Sequence, residues 1–226
     1  MKNLFNKFNL DISDIQREKF EKYYELLVYY NSKFNITAIT EKDEVIIKHF
    51  IDSALGYNKV NFGKVIDVGS GGGFPAIPLK IMNDDLDLTL LEATGKKCEF
   101  LKAVVDNLKL KGVKVINERA ETLAKNEEYR ESFDFCTARA VARLNTLCEY
   151  CIPFVKVGGK FVSYKGDADE EVNEAKTAVF KLGGKIKEVF KYDLDGAKRA
   201  LITIEKVSLT DKKYPRGNGK ERKNPL

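Results

Sequence analysis

The chain has 226 residues, 43% of them hydrophobic and 32% charged, with a formal net charge of +5. That length holds one large domain or a core with an appendage, and that balance excludes a disordered or fibrous chain. No apolar run reaches membrane-spanning length, the N-terminus lacks the apolar stretch of a signal peptide, and four scattered cysteines show no framework spacing. A soluble cytoplasmic protein with no membrane and no metal is expected, and a monomer is the simplest assembly.

In chain order, residues 1–61 read as a helical extension. Ser13 followed by Gln16 fits a capping box, and Phe20, Tyr23, Tyr24, Leu27 and Phe34 recur at helical spacing. Asn35 to Thr40 breaks the pattern, and a second helical segment is predicted from near Glu41 past Ile51. From Lys64 onward strands and helices alternate. Strands are predicted at Lys64–Val68, Asp87–Leu91, Val113–Asn117, Phe133–Ala138 and Gly159–Tyr164. Helices fall between them at about Ala76–Ile81, Lys96–Leu108, Val141–Tyr150 and Asp169–Leu182. Alternation of this kind gives a mostly parallel sheet covered on both faces. Two last strands, Ile186–Tyr192 and Arg199–Glu205, are joined by a connection too short for a crossover helix, so they pair antiparallel. The expected architecture is α/β, a class I S-adenosylmethionine-dependent methyltransferase (Rossmann-like) fold. It has a seven-stranded, mostly parallel sheet with one antiparallel strand, and the N-terminal helical extension. The expected units are the extension 1–61, a core at 62–206 and a basic tail at 207–226.

Residues Val65 to Pro75 read V-I-D-V-G-S-G-G-G-F-P, a β-branched run that stops at four glycines in five residues. A buried strand, a glycine turn and a helix start form the nucleotide end of an open α/β sheet. The dinucleotide fingerprint fails, because Phe74 stands where its last glycine belongs. What remains, with Asp67 inside the strand, suits S-adenosylmethionine, converted to S-adenosylhomocysteine. Gly69, Gly71 and Phe74 are therefore cofactor candidates. Asp67 is expected to accept from loop amides or to meet the cationic end of the cofactor. Glu92 ends the second strand about 20 residues downstream, where a carboxylate accepts both ribose hydroxyls. Ala120 and Glu121, at the end of the third strand, are candidates for reading the adenine edge.

The fourth strand ends Cys136-Thr-Ala-Arg-Ala140 and lacks the Asn/Asp-Pro-Pro-aromatic turn common in enzymes that methylate an exocyclic amine. Cys136 lies in an apolar strand, a poor place for a thiolate nucleophile. Cys148 and Cys151 form a C-x-x-C with no second pair for zinc. A target with a ready lone pair, such as N7 of guanine, needs neither base nor nucleophile, only alignment and exclusion of water. Arg139 and Lys165, at the ends of the fourth and fifth strands, are the catalytic candidates and face one cleft, where they hold a phosphate or the guanine O6.

The charge is unevenly placed. Seven basic residues against two acidic ones between Lys206 and Leu226 account for the whole net charge of +5, the footprint of a polyanion-binding segment. Together the blocks Asn31-x-x-x-Asn35-x-Thr-Ala, Lys48-His49-x-x-Asp52-Ser53, Val65–Pro75, Leu91-Glu92, Arg119-x-Glu121, Arg139-Ala140, Lys165-Gly166, Lys213-Tyr-Pro-Arg216 and Lys223-Asn-Pro-Leu226 resemble the RsmG (GidB) family. Its members are bacterial 16S ribosomal RNA guanine-N7 methyltransferases. The resemblance implies cofactor contacts at Gly69, Phe74, Ala120, Glu121 and Arg139, and 16S RNA or the 30S subunit as partner. It makes Asn35, His49, Lys165, Lys213, Arg216 and Lys223 candidates for RNA binding. Asn35 serves the turn it opens or reaches the RNA, and His49, the only histidine, is structural or functional. Tyr30 stands where the family often has tryptophan, and the middle of the tail departs from the family's proline-containing version. The alternatives are a small-molecule methyltransferase of the same fold and a non-enzymatic RNA-binding assembly factor.

Overall fold

Each β-branched run expected as a strand takes its place in a single sheet. The computed structural model describes residues 1–226. Its strands are β1 (Lys64–Val68), β2 (Asp87–Glu92), β3 (Val113–Asn117), β4 (Phe133–Arg139), β5 (Val155–Lys165), β6 (Gly184–Leu194) and β7 (Ala197–Lys206). They lie in the order β3-β2-β1-β4-β5-β7-β6. All pairs up to β5 are parallel. Only β7 is antiparallel, to β5 on one side and β6 on the other. Its reversal comes from a two-residue turn in which Asp195 and Gly196 both take positive φ, 54° and 80°. Asp-Gly suits that turn, and its twist matches the twist of the hairpin. β5 starts earlier than the expected Gly159, because Phe133 pairs with Val155 across an irregularity in β4.

The helices are α1 (Lys2–Lys7), α2 (Asp14–Asn31), α3 (Lys42–Val45), α4 (Asp52–Ala54), α5 (Ala76–Met82), α6 (Gly95–Asn107), α7 (Ala120–Leu123), α8 (Leu144–Cys151), α9 (Asp169–Lys181) and α10 (Lys220–Lys223). The Ser13–Gln16 capping box forms, with Gln16 N donating to Ser13 Oγ at 3.2 Å and Ser13 N donating to Gln16 Oε1 at 2.9 Å. Such a cap is worth about 1 kcal/mol. Gln16 Nε2 also donates to the carbonyls of Ile81 and Met82 at the end of α5, so the cap ties α2 to the core. The predicted helix from Glu41 is not uniform. Between α3 and α4 the chain widens into a π-helical turn, Ile46–Ile51, a feature that concentrates at functional sites. α8 begins at Leu144 rather than Val141, because Ala140 has φ 57° and Arg143 is extended.

Alternation along the strands divides the core between the faces of the sheet. Val65, Leu88 and Leu90 join Phe5, Phe20, Tyr23, Phe50 and Phe100 of the N-terminal helices and α6 in one cluster. Ile66, Leu91 and Cys136 join Leu147, Cys148, Ala175 and Val179 of α8 and α9 in the other. All four cysteines are free and buried, and burial pushes the Cys148 thiol well up, away from thiolate chemistry. No helix is long and apolar enough to cross a membrane.

Candidate active site

The glycine loop is built by backbone conformation and close approach. Gly69 has φ +73°, and a Cβ there would stand 2.7 Å from Val141 Cγ2. Gly73 has φ +87°, and its Cβ would stand 2.5 Å from the Tyr23 hydroxyl and from Ile77. Any side chain at either position would be strained and would collide. The amides of Gly69 and Ser70 both donate to Leu91 O, at 2.8 and 3.1 Å, which fastens the loop to the end of β2. From the other side the Tyr23 hydroxyl, on α2, donates to Gly72 O. Its ring lies 5.1 Å from Phe50 and 5.5 Å from Phe74. Tyr23 reads in sequence as one more apolar position of a helix, and nothing local marks it as a brace for the loop.

A cavity of about 290 Å³ opens over the ends of β1, β2 and β4, at the small end of the usual range for a ligand site. Gly69, Gly71, Glu92, Ala120 and Glu121 line it, as do Val141 and Arg222. Glu92 Oε2 accepts the Gly71 amide at 2.9 Å, and Oε1 accepts the Thr94 amide at 2.8 Å. Each oxygen keeps lone-pair capacity toward the cavity. Glu121 Oε1 is held by Arg119 Nε at 2.6 Å. Asp67 lies beneath the loop, wholly buried. Its Oδ1 accepts from Thr137 Oγ1 at 2.7 Å and its Oδ2 has no partner. Burial pushes its carboxyl up to about 7, against the opposing effect of the Thr137 hydrogen bond. The Gly71 amide goes to Glu92 and not to Asp67. A backbone that only glycine allows, a buried carboxylate oxygen without a partner and an acceptor at the ribose position together fit S-adenosylmethionine.

A second cavity, of about 410 Å³, lies on the β5 side, and Ala140 borders both. Its lining includes His49, Asp52, Arg139, Lys165, Glu171 and Arg199. Arg139 Nη1 donates to Asp52 Oδ2 and to Lys48 O, both at 3.0 Å. Its Cζ stands 4.9 Å above the Phe74 ring, and the His49 ring stacks on Phe74 at 4.5 Å. Phe74 therefore braces this second cavity and is absent from the lining of the first. Asp52 also accepts from the Tyr192 hydroxyl at 2.8 Å. Lys165 Nζ donates to Ala142 O at 2.6 Å and pairs with Glu171 Oε2 at 2.7 Å.

His49 is neutral in the folded chain. Nδ1 lies 3.0 Å from Arg139 Nη2 and 3.1 Å from Lys48 O; since the guanidinium only donates, Nδ1 is assigned as its acceptor and Nε2–H as donor to Thr37 Oγ1 at 2.8 Å. Burial, and then the Arg139 charge, lower its pKa to about 3. The unfolded chain takes up this proton near pH 6.5 and the folded chain only near 3. Stability from this group therefore climbs with pH between those values and levels above them. Asp67 acts in the opposite sense between 3.8 and about 7, so wild type is best compared with a variant that keeps Asp67. The stability deficit of His49→Gln should shrink as pH falls from 7 to 4, measured by urea unfolding. A deficit constant across that range would contradict a neutral His49.

The remaining candidates for RNA contact are dispersed. Asn35 is exposed and its side chain bonds nothing within the chain; the turn is held by Asn31, whose Oδ1 accepts the amides of Ile36 and Thr37 at 2.8 and 3.0 Å. Lys213 and Lys223 are exposed, Lys213 beside Asp211 at 2.9 Å. Arg216 turns inward. Its Nη2 meets Glu149 Oε2 at 2.8 Å and its Nε meets Oε1 at 3.0 Å, so this guanidinium is engaged inside the fold.

The sheet order, the single antiparallel strand and the glycine loop over the strand ends define a class I methyltransferase. A solved S-adenosylmethionine-dependent methyltransferase from Aquifex aeolicus shares the fold. It has a TM-score of 0.55 and 15% identity, over 73% of this chain and 93% of that one. The family model GidB, described as rRNA small subunit methyltransferase G, matches residues 16–202. Two proteins named ribosomal RNA small subunit methyltransferase G are similar over nearly their whole length. That of Lactobacillus delbrueckii subsp. bulgaricus is 43% identical, over 98% of this chain and 96% of its own. That of Clostridium perfringens is 42% identical, over 100% and 97%. The chain belongs to the rRNA small subunit methyltransferase G family.

Proposed function

We propose that this enzyme transfers the methyl group of S-adenosylmethionine to N7 of a guanine in 16S ribosomal RNA, as free RNA or in the 30S subunit. The observation that carries this reading is the pair of cavities meeting at Ala140, one with the cofactor residues and one with paired cations and carboxylates. The names of the relatives supply the RNA. The cofactor supplies an electrophilic methyl group on a sulfonium. N7 attacks with its own lone pair, so no residue has to take a proton, and the positive charge passes from sulfur to the guanine ring. Glu92 accepts the ribose hydroxyls, Gly69 and Gly71 let the backbone approach, and Ala120 and Glu121 border the adenine. Asp67 sets the charge beneath the loop.

Arg139 and Lys165 orient the base through O6 or a phosphate, and Phe74 and His49 hold Arg139 in place. The carboxylates of Asp52 and Glu171, against these cations, favour a base that becomes cationic as it reacts. Exposed Asn35, Lys213 and Lys223 meet the RNA, while Arg216 acts by holding the tail. Residues 1–61 brace the loop and add His49 and Asp52 to the second cavity, 62–206 hold the cofactor, and 207–226 form the basic tail. The enzyme works as a monomer, and because it acts on ribosomal RNA it works in the cytoplasm.

The test is methyl transfer from labelled cofactor to 16S RNA and to 30S particles lacking the mark, with the modified nucleotide mapped by mass spectrometry. Incorporation at one guanine N7, with RNA affinity falling as salt rises, is the expected result. Transfer at background on both substrates would sink the proposal.

A further inference from the structure

The basic C-terminal segment does not extend from the core as an arm. Arg130 clamps its start, with Nη1 donating to Tyr214 O at 2.9 Å and Nη2 to Thr210 O at 2.8 Å. Lys206, almost fully buried, pairs with Glu131 at 2.9 Å beside it. Arg216 and Glu149 then form a forked ion pair in which the Glu149 side chain is 1% exposed. Thr146 Oγ1, on α8, donates to Glu221 O at 3.1 Å, and Glu221 itself is wholly buried, with Oε2 unpartnered. The segment folds back along α8 and ends its inner run at Arg222, which lines the first cavity. The other face of the segment carries Lys212, Lys213, Lys220 and Lys223 to solvent.

Within the segment Lys213 and Arg216 pair with carboxylates, and Arg222 does not. Its hydrogen bond within the chain is a long one, Nη2 to Val141 O at 3.5 Å. It stands at a particular end of the cavity. Tyr150, Glu121 and Arg222 line the cavity together, and Glu121 follows β3. With Glu92 at the ribose, that end takes the adenine. An adenine offers a guanidinium both a π face and acceptor ring nitrogens.

We propose that residues 211–226 form a fixed wall of the cofactor cavity, and that Arg222 is a cofactor-binding residue packed against the adenine. The inference rests on the S-adenosylmethionine reading of the cavity but requires no RNA. It assigns the basic tail two faces, an inner one for the cofactor and an outer one for phosphate.

The test is calorimetry with S-adenosylhomocysteine, without RNA, on the full-length chain. Arg222→Ala, an exposed substitution that leaves the Arg216–Glu149 anchor intact, should raise Kd about tenfold, the scale of a desolvated cation–π contact. Lys220→Ala, on the outer face, should leave Kd unchanged. Hydrogen exchange of residues 217–223 in the wild type should slow when S-adenosylhomocysteine binds. A Kd within twofold of wild type in Arg222→Ala, or no protection of 217–223, overturns this proposal and leaves the methyltransferase reading standing. No binding by the wild type would overturn both.

Discussion

Glu92→Ala should weaken S-adenosylhomocysteine binding on the order of a hundredfold, read by calorimetry. The Glu92 carboxylate joins the Gly71 amide to the Thr94 amide and faces the cavity from the end of β2. With the ribose bound as proposed, removing it takes away two charge-assisted hydrogen bonds and loosens the loop that receives the rest of the cofactor. At about 1.5 kcal/mol or more for each such bond, the sum is about 3 kcal/mol. Glu92→Gln keeps the shape and one acceptor, so its loss should be smaller, on the order of tenfold. The global fold should persist in both variants, because the cluster beneath β2 is untouched. An alanine variant that bound the ligand within threefold of wild type would remove Glu92 from the site.

Arg139→Ala should abolish methyl transfer and also destabilise the chain, by about 3 kcal/mol. The stability part follows from Asp52, whose side chain is 6% exposed and pairs with Arg139 at 3.0 Å. Breaking a buried pair from one side leaves a charge without compensation, at a cost of about 3–5 kcal/mol. Arg199 Nε, 3.7 Å from Asp52, and the Tyr192 hydroxyl hold the cost to the lower end. The activity part follows from the Phe74–His49–Arg139 stack, whose His49 and Arg139 line the second cavity. Arg139→Lys keeps the charge but not the fork that spans Asp52, Lys48 O and His49. It should recover most of the stability and little of the turnover. Urea midpoints and single-turnover rates separate the two effects, and an alanine variant with near wild-type turnover would refute the assignment.

Much of this arrangement was legible because it is local. The β-branched runs bounded by turn residues located every strand, and the short Asp-Gly connection predicted the antiparallel reversal of β7. Phe74 in place of a glycine, with Glu92 downstream, pointed to the cofactor. What escaped depends on pairings distant in sequence, which leave no periodic trace. Tyr23 meets Gly72, Arg216 meets Glu149, and Arg139 meets His49 and Asp52 only once the sheet has formed. The π turn at Ile46–Ile51 escaped for a different reason, since its residues have ordinary helical composition. The tail shows the same limit. Its charge was evident, but charge alone did not separate Arg216, held inside, from Lys213 and Lys223, held outside.

The reversed direction of β7 has a consequence for where this protein tolerates change. In a wholly parallel sheet, strand beginnings lie at the edge away from the ligand. Here Ala200 of β7 pairs with Lys165 at the end of β5, so the start of a strand brings Arg199 to the reacting edge. The Asp195–Gly196 turn projects beyond that same edge, as a parapet beside the substrate cavity. Lengthening this turn would raise the rim that a folded RNA must clear, whereas insertions between β4 and α8 would reach into the cavities themselves. In the proposed reading the hairpin thus limits the bulk of substrate that docks, separately from the residues that align its reacting atom.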